Sequence, residues 1–153
     1  MTRLIMAVAT GMYVGLLPKS PATWGSLAAF LPWLLLKDLS LPLYLAVLLF
    51  LFIVGFFAVG SAEKILDIPD ADPIVIDEIV GMLVTLTLAP PHPAAWLLGF
   101  ILFRIFATLK PFPVSWFKNH IHGSTGIMMD DVTAGIYACI SLQLFWYLSA
   151  TVR

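Results

Sequence analysis

Two pairs of adjacent carboxylates, Asp77-Glu78 and Asp130-Asp131, stand at the openings of otherwise apolar runs. A carboxylate in hydrocarbon costs roughly 2.5–3.5 kcal/mol on insertion scales, so it persists only beside a partner, a metal or a water-filled cavity. Gly81 follows Asp77 by one helical turn, and Gly135 follows Asp131 in the same way. Each glycine shares a face with its acid and lets a neighbouring helix come close. The pattern predicts two helices packed with their carboxylates facing. Neighbouring helix positions diverge by about 100°, so Asp77 and Glu78 are expected to reach one cavity but not one point. Four facing carboxylates repel one another and call for cations. An all-oxygen donor set suits Mg2+, whose shell is completed by water and substrate phosphate. A structural ion-pair cluster with Arg104 and Lys64 is the plain alternative, although the four acids outnumber those two cations.

Arg104 and Lys110 lie six residues apart with Ala107 midway, forming a drifting stripe on one helix face. A guanidinium fork with a point cation is a usual way to hold a phosphate monoester, and snorkelling to the interface is the alternative for Lys110 above all. Upstream, Lys19 with Thr23, Trp24 and Ser26 offers a cation, hydroxyls and a helix start, which together favour an anion. An ordinary capped turn explains the same residues. His120 and His122 have neither a Cys nor an i,i+4 His to complete a metal site, so interfacial contact is expected of them. Cys139 has no intrachain thiol partner and reads as a small apolar filler.

The elements that must position these residues are membrane helices. Of the 153 residues, 61% are hydrophobic and 11% charged, well away from the half and quarter of soluble domains. The mean hydropathy of +0.99 agrees. A net charge of −1, without aromatic and basic residues interleaved, excludes a nucleic-acid partner. The pattern predicts an all-α, polytopic bundle of about four to five membrane-embedded helices with a short N-terminal helix, forming one domain over 1–153. An opening helix runs from residue 1 to about Gly15. It is expected to be retained against the membrane or bundle rather than cleaved. A helix from Leu27 to about Leu36, bent at Pro32, follows a turn capped by Ser20 or Thr23. Spans are expected at Leu41–Gly60, Ile74–Leu88, Ala94–Leu109 and Ile127 to about Val152. A wet loop over Ser61–Asp72 and a flexible turn over Gly123–Gly126 separate them. If five segments alternate, Arg3, Lys19, Lys64, Lys110 and Lys118 share one side, against Lys37 and Arg153 on the other. Positive-inside then puts both acid pairs on the cytoplasmic side at headgroup depth.

Four stretches in series resemble the phosphatidylglycerophosphatase A family. They are Pro18 to Leu27, Asp72-Pro73 through Asp77-Glu78 to Met82, Phe103-Arg104 through Lys110 to Pro113, and Gly123 through Asp130-Asp131 to Gly135. The resemblance covers roughly residues 10–140. It implies a Mg2+-dependent phosphatase of the bacterial inner membrane that converts phosphatidylglycerophosphate to phosphatidylglycerol and phosphate. It further implies Asp77, Glu78, Asp130 and Asp131 as catalytic and metal-binding residues. Lys19, Arg104 and Lys110, with Thr23 and Ser26, are implied at the substrate. The family pattern has an Asp where this chain has Ala107, a position open to a metal ligand, a general base or a nucleophile. Its loss implies impaired or absent turnover. Two readings compete: a lipid-binding subunit that performs no chemistry, and an ion-coupled transporter using the intramembrane carboxylates.

Overall fold

The structure, a computed structural model, describes residues 1–151 and is all-α. Helices α1 (Thr2–Ala9), α2 (Pro21–Ala28), α3 (Phe30–Leu36) and α4 (Leu41–Leu66) occupy the first half. Helices α5 (Ile76–Thr85), α6 (Pro93–Leu109), α7 (Val114–His120) and α8 (Ser124–Thr151) follow. Two of them, α4 and α8, are long and apolar enough to cross a membrane, and only 22% and 28% of their apolar windows is buried by the rest of the chain. Their outer faces, with Phe50, Phe57, Ile140 and Leu144 exposed, suit lipid rather than a protein core.

Several boundaries differ from those expected, each for a local reason. The opening helix is two pieces, because Gly11, Met12 and Tyr13 take positive φ and turn the chain before a short 3-10 turn at Val14–Leu16. The next helix starts at Pro21 rather than Leu27: Ser20 is its cap position, and proline at a first helical position gives up no bond. It breaks at Ala29, three residues before Pro32, where the proline ring would crowd the preceding turn. Helix α4 runs on past Gly60 to Leu66, carrying Ser61, Glu63 and Lys64 on its last turns. It ends only where Asp67 adopts φ +54. The expected flexible turn reduces to Gly123, since α8 already begins at Ser124. Val152 and Arg153, assigned to the final span and to the outer side, lie outside the described residues.

The largest departure is α5. Ten residues rise about 15 Å, half of a hydrocarbon core, so Ile74–Leu88 is not a spanning helix. All-round apolarity misleads here, because it marks burial without saying whether lipid or protein does the burying. Eight of the ten residues, including Asp77, are buried in the chain itself. The segment before it, 67–75, is irregular: residues 67–70 and 72 are exposed, while Ala71, Ile74 and Val75 are buried against the helices. Val75 N–H donates to the Ala9 carbonyl at 2.9 Å. A Cβ on Gly15 would stand 2.1 Å from the Pro73 carbonyl oxygen, so this packing needs glycine. Non-helical backbone at such depth is tolerated when protein encloses it.

The other end of α5 exposes carbonyls that its own helix cannot satisfy, and neighbours supply the donors. Tyr44 Oη donates to Leu83 O at 2.7 Å, and Trp33 Nε1 donates to Leu86 O at 3.2 Å. Gln143 Nε2 donates to Leu88 O at 2.8 Å and Thr87 O at 3.3 Å. Cys139, read as filler, also directs its sulfur at Thr87 O, at 3.6 Å. Tyr44→Phe and Gln143→Leu are therefore each expected to lower stability by about 1–2 kcal/mol, read as a reduced unfolding temperature in detergent.

Candidate functional site

Helix α5 lies against α8 through the two glycines singled out in the sequence. A Cβ on Gly135 would sit 2.3 Å from Gly81 O, and one on Gly81 would sit 2.6 Å from Asp131 O. Thr85 Oγ1 donates to Gly81 O within α5 at 3.0 Å and approaches Gly135 O across the seam at 3.5 Å. Backbones this close bring the acid-bearing turns together. One carboxylate oxygen each from Asp77, Glu78 and Asp131 lies within 4.8 Å of the others. Asp77 and Glu78 thus open on one cavity, as their helical spacing suggested, and Asp131 joins them from the second helix.

These residues line a cavity of about 450 Å³ together with Arg104 and Ala107 from α6, Lys110 at the left-handed cap that ends it, and Asp130 from α8. Asp77, Asp130 and Asp131 are buried, as is Ala107. Asp77 Oδ1 and Glu78 Oε2 are buried without a hydrogen-bond partner. A buried anionic oxygen left in that state is costly, and a divalent cation is the partner that an all-oxygen, three-carboxylate set fits. Asp130 lines the same cavity but is engaged there by a cation: Lys110 Nζ forms an ion pair with its Oδ2. The four acids therefore divide into a convergent trio and a carboxylate engaged by the lysine. Lys64, the other candidate counter-ion, belongs to a separate groove with Asp67 and His122.

The upstream residues divide as well. Ser20, Pro21 and Ala22 line the cavity, whereas Lys19, Thr23 and Ser26 do not. Lys19 is exposed, and Thr23 Oγ1 pairs with Ser20 Oγ at 2.7 Å. Ser26 is fully buried; its hydroxyl donates to Ala22 O at 2.8 Å and accepts from Arg104 Nη1 at 3.4 Å. It contacts the guanidinium rather than the cavity. Asp70 and Asp72, exposed in the loop before α5 as expected, also line the wall. Glu63 Oε1 accepts from Asp70 N–H at 2.9 Å, so the last turns of α4 hold that loop in place. The signal available was chain proximity, because a loop ending at Val75 cannot lie far from Asp77. Away from the site, His120 stacks on Trp116 of the same helix with ring centres 5.1 Å apart.

Residues 7–146 match a family model described as phosphatidylglycerophosphatase A. A phosphatidylglycerophosphatase A of Escherichia coli (strain K12) is 38% identical over 142 residues, covering 92% of this chain and 81% of the relative. One of Haemophilus influenzae is 38% identical over 145 residues, covering 94% and 89%. No solved structure matches the chain.

Proposed function

The chain belongs to the phosphatidylglycerophosphatase A family, and on that footing we propose that it hydrolyses the terminal phosphate monoester of phosphatidylglycerophosphate. The products are phosphatidylglycerol and inorganic phosphate. The observation that carries this reading is the convergence of Asp77, Glu78 and Asp131 beneath Arg104 and Lys110 in one polar cavity. Three carboxylates with two orphaned oxygens ask for a cation, and the cations on the wall above ask for an anion.

In this proposal Asp77, Glu78 and Asp131 hold Mg2+, which when bound supplies electrophilic activation of the phosphate oxygens. Arg104 grips the phosphate through paired N–H groups, and Lys110 adds a point charge. Asp130 keeps Lys110 aimed inward and stands ready to join the acidic trio. Ser26 accepts from the guanidinium and fixes its direction, a role one step removed from substrate. Lys19 and Thr23, which flank the lining residues Ser20 to Ala22 in the chain, meet the rest of the headgroup. Water attacks phosphorus in line with the departing glycerol oxygen, and that oxygen takes up a proton as the bond breaks. One domain over 1–153 carries all of this. It forms a multi-pass bundle of the bacterial inner membrane, with the cavity facing the cytoplasm as the cation distribution favours.

A second reading, lipid binding without turnover, is favoured by Ala107, whose methyl lines the cavity and offers no proton acceptor. Reconstitution with the lipid and Mg2+ separates the two. Phosphate release is expected with Mg2+, with loss on chelation and recovery on Mg2+ re-addition. Release that ignores the chelator counts against the metal assignment. Failure of both this chain and its Ala107→Asp variant, each folded and Mg2+-binding, leaves only the binding reading.

A further inference from the structure

The depth of the acidic trio limits which part of a lipid it can handle. The apolar stretch of α4 from Leu41 to Gly60 rises about 30 Å, the thickness of a hydrocarbon core, and Glu63 and Lys64 follow directly. Gly60 therefore marks the inner boundary. Ser124 packs at that level, its Oγ 3.3 Å from where a Cβ on Gly60 would stand. From Ser124, Asp131 lies two turns along α8, about 10 Å deeper. Helix α4 gives the same answer. Ile76 and Met128 meet Gly55, at 3.2 and 2.9 Å from a Cβ built there. Gly55 is about 7 Å below Gly60.

The terminal phosphate of an upright phospholipid headgroup lies at the opposite extreme, outermost in the water. It reaches the trio only if the headgroup is brought down into the cavity, past Ser20, Asp70 and Asp72. Two apolar grooves among the described residues lie apart from that route. One runs between α1 and α4, past Leu4, Val8 and Phe57. The other lies among α4, α5 and α8, at Leu48, Phe52 and Val84. Neither shares a lining residue with the polar cavity.

We infer that the cavity takes the polar headgroup whole and reads no acyl chain, so its substrates include water-soluble phosphate monoesters of the same headgroup: a glycerol phosphodiester bearing a terminal phosphate and no fatty chains. The inference rests on the phosphatase reading above. The chemistry balances as it does for the lipid: water oxygen bonds to phosphorus, the bond from phosphorus to the terminal glycerol oxygen breaks, and that oxygen leaves as an alcohol.

The test measures phosphate release from the lipid in mixed micelles and from its deacylated, soluble counterpart, with Asp77→Asn as the blank for both. The expected result is a kcat on the soluble compound within about tenfold of that on the lipid, the loss falling on KM, together with competitive inhibition of lipid turnover. Lipid hydrolysis without turnover of the soluble compound, or with a larger fall in kcat, overturns the inference and leaves the phosphatase reading standing. Lipid hydrolysis absent from both the folded chain and Ala107→Asp removes the two together.

Discussion

Asp77→Asn is expected to lower phosphate release about 10³-fold, the several kcal/mol of barrier that a lost metal ligand represents. The same change should leave the cation-free protein at least as stable. Asp77 is buried, with Oδ1 lacking a hydrogen-bond partner, so its charge is a burden on folding unless a cation is present. A cation that binds only the folded state stabilises it in proportion to its occupancy. Mg2+ should therefore raise the unfolding temperature of the parent chain and do so far less for Asp77→Asn. Turnover and thermal shift read the same site independently. If the variant keeps both its activity and its Mg2+-dependent shift, Asp77 holds no metal.

Ala107→Asp is expected to raise kcat about 10²-fold, the lower end of what a positioned acid or base contributes. Ala107 lines the cavity one turn from Arg104 and three residues from Lys110, so a carboxylate there enters the space where a phosphate would lie. Its charge would be balanced by Arg104 on α6 and Lys110 at that helix's C-cap. Ala107→Asn, equal in size and without the proton-accepting group, should stay near the parent rate. An equal rise for both variants would assign the gain to shape, and no rise for either would remove position 107 from the chemistry.

What could be read in the chain was whatever short-range spacing encodes. The acid-to-glycine interval on α5 and α8 reported a real backbone contact, because one helical turn fixes which residues share a face. Helix α6 was legible for a similar reason: Pro91 and Pro93 fence its start, and Lys110-Pro111 its end. What failed was any inference that needed the identity of the surrounding medium. Glu63 and Lys64 look like loop residues by polarity, yet they ride the exposed end of a helix that nothing interrupts before Asp67. Ile74–Leu88 looks like a span by apolarity, yet protein covers it. Partnerships across the chain were equally hidden. Spacing alone could not show that Lys110 would engage Asp130, nor that Ser26 would reach Arg104. Both follow from how α2, α6 and α8 assemble.

The moorings at the C-terminal end of α5 have a consequence for the carboxylates at its N-terminal end. Side chains from α3, α4 and α8 clasp Leu83, Leu86, Thr87 and Leu88, while Asp77 and Glu78 occupy the opposite tip, about 15 Å away. The short helix is thereby mounted like a cantilever, clamped far from its working tip. A slackened clamp at Trp33 or Gln143 would tilt the carboxylates without touching them. The aim of the acidic trio is thus set in part at the far end of α5, by groups that never touch it.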